Sequence, residues 1–579
     1  MKRSANWLPF NNDNIFFWHH IPEKNIKNTG IIIVGPIGPE YMPTHRSIRL
    51  LADNLSRSGF HSIRYDPIGM GNSSGFLDDT NIWIKWTNSP KHLTSYFKDK
   101  VGIKNVIYIG IRSGCLVLSD TFKVTQINTA IFWHPISRGS TFIRGIQLLD
   151  SVLYKDIDSS KDNTLEGGGY PFTQELQNNI KKINLTNQNY PELSNALVIN
   201  DLPPRNESKL NNNMVAQNIK TESVYLDGLE DMIKQVTLSK IPYINLEYIL
   251  NWVVKLDLAI IDRKTEYTMT NTHYKNTNYV ETTTTINSGK NIFGILTTPI
   301  DIDKNKIVIF TNTGAAHHAG PNRIHVDVAR LLAKHGISTL RIDISNIGDS
   351  SENYEQDPPN EYPDCATDDI NSAINYVDSI LKKREIILCG ISAGAHNIFH
   401  AALKSEIKSL KKIILINPET FYWNPNQSTL SSENTKTDID QIYYQKQIYD
   451  YRKWLSLLTN PQKIYNTAAF ATTFIFKKTI RFSYKFLSIL NIKVKTQLEK
   501  DIAILNERCI SINLIYSEDD PGHKIIMSQA GATVIKMQDK KLYFCKEIRN
   551  ADHTFSSINS RCQLYNTIIN FIKNNKQKI

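Results

Sequence analysis

Two stretches of the sequence decide the fold: IIIVGPIGPEYMPTHRSIRLLADNLSRSGFHSIRYDPIGMGNSSG at residues 31–75 and IVIFTNTGAAHHAGPNRIHVDVARLLAKHGISTLRIDISNIGDSS at residues 307–351. A shift of 276 or 277 residues superposes them, and the shift of 277 gives the matches that follow. The residues that then coincide and are identical include Arg46 and Arg323, Ala52 and Ala329, Leu55 and Leu332, Gly59 and Gly336, Arg64 and Arg341, Asp66 and Asp343, Gly71 and Gly348, and Ser73 and Ser350. Chance similarity does not keep both the glycines and an Arg-x-Asp pair in one ungapped run. The chain is therefore predicted to contain an internal duplication.

Each copy has the pattern of a strand, a loop, a helix and a second strand. The apolar runs IIIV and KIVIF are typical of strands that are buried on both faces. Leucines at three- and four-residue spacing follow, with a glycine just past the end, which indicates a helix with a glycine stop. The segments SIRYD and TLRID then read as strands. A strand, helix and strand in this order imply a right-handed crossover and a parallel sheet.

The same order of elements continues in both halves of the chain. We therefore predict an α/β fold with two tandem, doubly wound and mostly parallel sheets. Variable stretches near residues 136–194 and 418–505 are expected to be helical insertions. The join is expected around residues 255–268, after the helix INLEYILNWVVKL, which gives domains of residues 1–257 and 258–579.

Composition excludes several classes of protein. The hydrophobic and charged fractions, 41% and 21%, are ordinary for a globular chain. The net charge of +11 is small for 579 residues, so no nucleic-acid partner is expected. Six cysteines show no metal-ligand spacing; Cys389 and Cys545 lie in strand-like runs and are expected to be buried free thiols. No metal or cofactor is expected. Without a secretory leader or an apolar run of about 18 residues, a cytoplasmic location is expected.

A nucleophile elbow is the strongest chemical motif in the second half. The strand EIILCG leads into Gly390–Gly394, a G-x-S-x-G whose small residues permit a sharp turn and present Ser392 Oγ at the carboxyl end of the sheet. The acid and then the histidine should follow in the sequence. Asp520 lies 128 residues after Ser392, and His553 lies 33 residues after Asp520. Asp520 directly precedes a Pro-Gly turn and is favoured as the acid, with Asp519 as the alternative.

An oxyanion hole requires two backbone N–H groups that point to the developing charge. Ala393, immediately after the nucleophile, is expected to supply one of them. Gly314 or Ala315, in the loop after KIVIF, is expected to supply the other. His317 and His318 lie in the same loop. They either contact the substrate or are solvent-exposed loop histidines.

The first half lacks the same set of residues. Its elbow, Gly-Ile-Arg-Ser-Gly, places Arg112 in the position of the nucleophile and displaces Ser113 by one residue. Met232 stands opposite His553, and Asp201 is the only candidate for the acid. Covalent serine catalysis is therefore not expected here. Arg112 either holds an anionic group of a ligand or caps local carbonyl groups.

These motifs resemble those of the bacterial α/β-hydrolases described as exosortase-associated or surface-polysaccharide-associated. The first half has GPIGPEY, RYDPIGMGNSSG, FWHPISRGSTFIRG and GLEDM; the second has NTGAAHHAGPNR, RIDISNIGDS, GISAG and ADHTF. Many relatives carry cysteine at the elbow where this chain has Ser392. The resemblance covers nearly the whole chain outside the variable stretches. It implies esterase, thioesterase or acyltransferase chemistry linked to polysaccharide or secondary-metabolite pathways.

The sequence therefore predicts a serine hydrolase that cleaves an ester or thioester through an acyl-enzyme on a Ser-Asp-His triad. The substrate would be a small acyl ester or thioester, free or carrier-bound. An acyltransferase with the same triad and a non-catalytic binding protein are the alternatives. The stretch 418–505 is aromatic and basic, which fits helices that cover the pocket, an apolar acyl channel or a membrane-surface contact.

Overall fold

The computed structural model describes residues 1–153, 163–201, 209–256, 272–287, 291–301, 304–350, 357, 359–381, 384–423, 495–518 and 520–573. The main sheet of the first half takes its strands from residues 2–225, and that of the second takes its strands from residues 273–548. The join expected between the domains falls mostly within residues 257–271, which lie outside the described residues.

The described elements of the first half alternate between strands and helices. The strands are β1 (Lys2–Phe10), β2 (Asp13–Ile21), β3 (Thr29–Val34), β4 (His61–Tyr65), β5 (Asn105–Ile111), β6 (Thr129–Trp133), β7 (Leu165–Gly167), β8 (Tyr170–Phe172), β9 (Asn195–Asn200) and β10 (Lys220–Tyr225). The helices are α1 (Tyr41–Arg57), α2 (Ile82–Tyr96), α3 (Gly114–Thr121), α4 (Gly139–Leu153), α5 (Gln174–Lys181), α6 (Lys209–Ala216), α7 (Leu229–Met232) and α8 (Tyr243–Val254).

The second half repeats this alternation. Its strands are β11 (His273–Lys275), β12 (Tyr279–Asn287), β13 (Asn291–Pro299), β14 (Lys306–Phe310), β15 (Ser338–Ile342), β16 (Glu385–Ile391), β17 (Leu410–Ile416), β18 (Ser511–Ser517) and β19 (Tyr543–Ile548). The described helices are α9 (Ile324–Lys334), α10 (Ala366–Ile380), α11 (Ala393–Lys404), α12 (Gln497–Glu507), α13 (Gly522–Asp539) and α14 (Ile558–Lys573).

The two sheets have the same topology, strand for strand. The first has the order β1-β2-β4-β3-β5-β6-β9-β10, and the second has β12-β13-β15-β14-β16-β17-β18-β19 with β11 added at the edge. In both, six strands are parallel, and an antiparallel hairpin extends the edge next to β4 or β15. The prediction of two tandem, doubly wound and mostly parallel sheets is confirmed. The hairpins β1–β2 and β12–β13 were not predicted.

Each sheet is covered by helices on both faces, because its central strands are apolar throughout. Ile31 and Ile33 of β3 pack on one face of the first sheet, and Ile32 and Val34 pack on the other. Strand β14 shows the same alternation, with Ile307 and Ile309 on one face. Side chains of a strand alternate between faces, so a wholly apolar run belongs in a two-sided core.

The halves contact each other through the two added hairpins. Trp7 and Trp18 of the first half form an apolar cluster with Phe293 and Ile295 of β13. The rings of Trp18 and Phe293 lie 4.7 Å apart. Burial of aromatic area of this kind is a major source of stability at an interface between domains. The hairpins thus supply one apolar part of the contact between the halves.

Buried arginines supply the polar part of this interface, in a reciprocal pattern. Arg341 donates to Asn72 Oδ1 at 2.8 Å, and Arg64 donates to Asp349 Oδ1. Arg64 and Arg341 are repeat partners, and a shift of 277 also carries Asn72 onto Asp349. The residues that mark the duplication in the sequence therefore hold the two copies together.

Glu281 is the anionic centre of the interface. Its carboxylate is fully buried and lies 2.7 Å from Arg330 Nη2 and 2.8 Å from Arg341 Nη2. Burial alone would raise the pKa of Glu281, but these two guanidinium groups outweigh it and hold the pKa below its ordinary value. Glu281 is therefore ionised, and removal of either arginine would leave buried charge without its full complement of partners.

The cysteines agree only in part with the expectation from the sequence. Cys389 is buried, whereas Cys545 is exposed, so the prediction of a buried thiol was wrong for Cys545. The reason is that Cys545 lies on β19, the edge strand of its sheet. Within the described residues, no helix is long and apolar enough to cross a membrane.

Candidate active site

The elbow between β16 and α11 places Ser392 in a strained backbone conformation. Its φ is 56° and its ψ is −122°, which a residue with a side chain rarely adopts. Glycine is required on both sides. A Cβ atom at Gly390 would lie 2.4 Å from the Gly394 backbone, and one at Gly394 would lie 2.4 Å from the Asn312 carbonyl oxygen. The same packing brings the loop after β14 against the elbow.

Asp520 and His553 meet beyond the carboxyl ends of β18 and β19. His553 Nδ1 lies 3.2 Å from Asp520 Oδ2, and Asp520 Oδ1 accepts a hydrogen bond of 2.9 Å from the Gly522 N–H. The Asp520 side chain is 1% exposed, so its carboxylate is fixed by these contacts. In the described residues, Ser392 Oγ and His553 Nε2 are not hydrogen-bonded to each other. Catalytic hydrogen bonds are often longer in the absence of substrate.

His553 is surrounded by carboxylates. Burial alone would lower its pKa, but the hydrogen bond to Asp520 and the charges of Glu419, Asp520 and Asp552 together raise it above its ordinary value. The loop that carries His553 is fixed by Asn417, whose Nδ2 donates to the His553 carbonyl oxygen at 2.7 Å. The imidazole is thus oriented through Nδ1, and Nε2 is left without a hydrogen-bond partner in the described part of the chain.

The loop after β14 has backbone N–H groups available near the elbow. Gly314 has a φ of 53°, and Ala315 is buried. Neither of their N–H groups is hydrogen-bonded to a described residue. Ala393 is the first residue of α11, where N–H groups lack partners within the helix. The backbone N–H groups of Ala393, Gly314 and Ala315, the residues expected to form an oxyanion hole, are therefore available as donors.

Two acidic residues of the site were not identified from the sequence. Glu419 Oε1 lies 3.4 Å from His553 Nε2. Glu361 Oε2 would be 3.2 Å from a Cβ atom on Gly314, so it lies beside the same loop. Burial and the charge of Glu419 raise the pKa of Glu361 to about 7, although His553 acts in the opposite direction. No local motif marks these residues, because each follows a strand end or an irregular loop.

Aromatic rings also lie beside the elbow, and no sequence motif predicted them. Tyr362 stacks on Trp423 with ring centroids 4.5 Å apart. Its other neighbour is His396, one turn after the elbow, at 5.0 Å. Burial of the ring lowers the pKa of His396 to about 4, so this histidine is neutral at pH 7.

His317 and His318 lie between the halves, so the alternative that they are solvent-exposed loop histidines was wrong. Both are buried. His317 stacks on His45 of the first half at 4.3 Å. His318 Nδ1 lies 2.7 Å from Asp343 Oδ2, and its Nε2 lies 3.0 Å from Asn72 Nδ2. The other half of the molecule covers the loop, so both rings serve the interface.

One cluster in the described residues, His318, Asp343 and Asp349, has its ligand atoms close enough together for a metal ion. Its atoms already have other partners. Asp343 accepts hydrogen bonds from the His318 ring and the Asn312 amide, and Asp349 is paired with Arg64. A guanidinium group therefore neutralises the carboxylate that a metal ion would need.

At the counterpart of the elbow in the first half, the polar side chains are already paired with neighbouring groups. Arg112 occupies the elbow with a φ of 52°. It donates to both oxygens of Glu40, at 2.9 and 3.2 Å, and to the His134 carbonyl oxygen at 3.3 Å. Ser113 is buried, and its Oγ accepts the N–H of Ile37 at 2.9 Å. Ile37 is the repeat partner of Gly314, so the counterpart of the expected oxyanion donor is already occupied.

Of the other polar residues of the first half, Asp201 lines the same cavity as Arg112, whereas Asp231 lies apart from it. Asp231, adjacent to Met232, is paired with Lys234 at 2.5 Å near the surface. A cavity of about 1240 Å³ lies over Arg112, with Asp201 and apolar residues of α4 in its walls. In the second half, Asp519 and residues 424–494 of the expected lid lie outside the described residues.

No protein-family model matches the chain, and no curated protein sequence matches it. Solved structures do match. An α/β serine hydrolase homologue from Coxiella burnetii is 13% identical and covers 52% of this chain and 99% of its own, with a TM-score of 0.29. The dienelactone hydrolase from Anabaena variabilis is 11% identical over 51% of this chain and 98% of its own, with a TM-score of 0.30. DcsB, solved with its substrate analogue, is 14% identical over 52% and 100%, with a TM-score of 0.31.

Proposed function

We propose that the second half is a serine hydrolase that cleaves an ester or thioester through an acyl-enzyme on Ser392. Two observations carry the proposal: the strained elbow at Ser392, and the Asp520–His553 pair beyond the carboxyl ends of strands in the same sheet. Ser392 stands in a strained elbow, and His553 Nδ1 is hydrogen-bonded to a buried Asp520 at 3.2 Å. In α/β folds the carboxyl end of the sheet is where substrates bind.

The proposed reaction has two stages. Ser392 Oγ attacks the carbonyl carbon while His553 Nε2 takes its proton, and Asp520 stabilises the imidazolium ion that forms. The N–H groups of Ala393 and of Gly314 or Ala315 bind the oxyanion. Collapse of the intermediate expels the alcohol or thiol, which receives the proton from His553. Water, activated by the same histidine, then hydrolyses the acyl-enzyme.

The carboxylates near His553 indicate which charge the leaving group would carry. Glu419 Oε1 is 3.4 Å from His553 Nε2, where a leaving group would receive its proton. Glu361 lies nearby, and Tyr362 and Trp423 add aromatic faces. Carboxylates and aromatic rings attract cations and repel anions. We therefore propose that the leaving group carries a positive charge.

This part of the proposal is tested with a matched pair of esters, butyrylcholine and its uncharged isostere 3,3-dimethylbutyl butyrate. The wild type is expected to show the higher kcat/KM for butyrylcholine. The preference should shrink in Glu419→Gln, because the substitution removes the charge and keeps the size of the side chain. An equal kcat/KM for both esters in both proteins would contradict the preference.

Acyl transfer is the second candidate function, and the same carboxylates favour it. An acceptor with an amine would be held by them beside His553, which could deprotonate it for attack on the acyl-enzyme. The resemblance to polysaccharide-associated hydrolases adds sugar hydroxyl groups as acceptors. Competition between water and an added amine for one acyl-enzyme separates the two candidates, because only a transferase forms mainly the amide.

Labelling with a fluorophosphonate probe tests the proposed function as a whole. Ser392 is expected to displace fluoride and form a stable phosphonyl ester in the wild type. The label should disappear in Ser392→Ala and slow strongly in His553→Ala. Absence of label in the folded wild type would favour a non-catalytic binding protein and overturn the proposal.

A further inference from the structure

A small hairpin of the first half reaches the loop that carries His553. Strands β7 and β8 form this hairpin. At its tip, Glu166 Oε2 accepts a hydrogen bond of 2.8 Å from the N–H of Ile558, the first residue of α14. A Cβ atom at Gly169 would lie 2.6 Å from the Ser556 carbonyl oxygen. Only glycine permits this approach, so the hairpin tip is packed directly against the segment that follows His553.

The segment from His553 to Ile558 is held partly by its own contacts, because the N–H groups of Phe555 and Ser556 donate to Asp552 and the Phe555 ring is buried. Phe555 adopts a φ of 53°, a conformation that costs energy for a residue with a side chain. On one side, the loop is fixed by Asn417, which binds the His553 carbonyl oxygen. On the other side, it runs into α14, whose first N–H groups lack partners within the helix. Glu166 supplies an acceptor and a negative charge at that helix terminus.

A second contact from the first half reaches the loop expected to bind the oxyanion. Thr237 follows α7 and lies against Gly314, where a Cβ atom would be 3.1 Å from Thr237 Cγ2. The N–H of Ile241, in the same stretch, donates to Asp357 Oδ2 at 3.0 Å. Asp357 also pairs with Arg46 of the first half. Two separate segments of the first half therefore contact the loops around the elbow of the second.

We propose that the first half, which lacks the triad, positions the loops of the second, and that Glu166 is the positioning residue for the His553 loop. This inference rests on the proposed function. It gives the first half a definite role: its hairpin sets the end of the His553 loop, and Thr237 limits the movement of the Gly314 loop. A displacement of about 1 Å in catalytic geometry costs on the order of 10²-fold in rate.

The contact predicts a specific kinetic pattern for variants of Glu166. Glu166→Ala removes the acceptor, so kcat for p-nitrophenyl acetate and the rate of fluorophosphonate labelling should fall about 10-fold, within the range that loop misplacement produces. KM should change little, because Glu166 does not touch the substrate. Glu166→Gln keeps a carbonyl oxygen that can accept the Ile558 N–H, so it should restore most of the rate. Glu192→Gln, at an exposed carboxylate of the same half, is the matched control and should equal the wild type.

Hydrogen–deuterium exchange of residues 552–558 gives a readout that does not depend on activity. Exchange should be faster in Glu166→Ala than in the wild type and in Glu166→Gln. Unchanged exchange together with unchanged kcat would overturn the inference. Faster exchange in a protein without Ser392-dependent label would retain the positioning contact and overturn the proposed function. A third outcome is that the variant loses rate while its melting temperature falls and its exchange at 25 °C stays unchanged. That result would assign the loss to global destabilisation and would also overturn the inference.

Discussion

The two halves have the same strand order, but they differ at the elbow side chain and at the loop N–H group that covalent catalysis would use. Each has a positive-φ residue at its elbow, Ser392 in the second half and Arg112 in the first. In the second half, the N–H of Gly314 is free of described partners, whereas its counterpart at Ile37 is occupied by Ser113 Oγ. The duplication thus preserved the backbone of the site in both copies. The side chain at the elbow, serine in one half and arginine in the other, distinguishes the half that is proposed to be catalytic from its counterpart.

At the interface between the halves, some residues related by the repeat make the same kind of contact in both copies. Arg64 and Arg341 each reach across to the other half. Tyr41 donates to Asp66 at 2.7 Å, as His318 does to Asp343 at the same distance. Arg64 and Arg341 therefore keep matching roles in the two copies, whereas the residues of the candidate site do not.

The largest expected effect compares the two serines. Ser392→Ala should lower ester hydrolysis by at least about 10³-fold, because it removes the nucleophile. Ser113→Ala should leave hydrolysis within about twofold, since Ser113 serves only the fold, and should cost about 1 kcal/mol of stability for the lost hydrogen bond. Steady-state rates and chemical denaturation of both variants check this. A large loss of activity in Ser113→Ala would break the comparison.

The next effect concerns the interface. Arg341→Met should lower the free energy of unfolding by about 3–5 kcal/mol, because Glu281 and Asn72 lose a buried partner. Lys404→Met, at an exposed pair with Asp368, should stay within about 0.5 kcal/mol of the wild type. Urea denaturation measures both. A change of under about 1 kcal/mol in Arg341→Met would mean that the halves do not depend on this contact.

Replacement of the carboxylate beside each elbow should change the free energy of unfolding in opposite directions. Glu361→Gln should stabilise the protein at pH 8, and Glu40→Gln should destabilise it. The pKa of Glu361 is raised to about 7 in the folded protein, so between its unfolded pKa and about 7 the native state binds the extra proton. Stability therefore falls as pH rises through this window. Glu361→Gln should raise the free energy of unfolding at pH 8 by up to about 3 kcal/mol and have little effect at pH 4.

Glu40→Gln is the counterpart in the first half. It breaks the ion pair of Glu40 with Arg112, which is partly exposed, and should lower stability by about 1 kcal/mol. Denaturation curves at pH 4 and pH 8 measure both variants. Destabilisation by Glu361→Gln at pH 8 would show that its carboxylate has a favourable partner in the folded protein.

The smallest expected effect is a shift in the pH dependence of hydrolysis. His553 must be neutral to accept the proton of Ser392, and its pKa is raised in the folded protein. Activity should therefore increase with pH, with a midpoint above the ordinary value for histidine. Glu419→Gln removes one of the charges that raise this pKa, so the acid limb of kcat/KM should move to lower pH. A shift to higher pH would contradict the assigned electrostatics.

The sequence predicted the parts of the molecule that depend on local pattern. Apolar runs, the glycine stops and the repeat itself led to both sheets. The elbow was visible because its glycines are required by crowding within a few residues. The roles of the triad residues remain predictions.

Features that depend on the other half could not be predicted. His317 and His318 are buried because the first half covers them, and nothing in their own loop signals this. Glu166 and Thr237 act across the interface at positions with no motif. The hairpins β1–β2 and β12–β13 combine polar and aromatic residues, since one face meets the other half, and they lack the uniform apolar run of a central strand.

The central claim is that acyl-enzyme chemistry belongs to one half of a duplicated chain. Peptide mapping by mass spectrometry after reaction with excess fluorophosphonate tests it most directly. The predicted result is one phosphonyl group per chain, on the peptide that contains Ser392, with none on any peptide of residues 1–256. An adduct in the first half, or none on Ser392 in the folded wild type, would contradict the account.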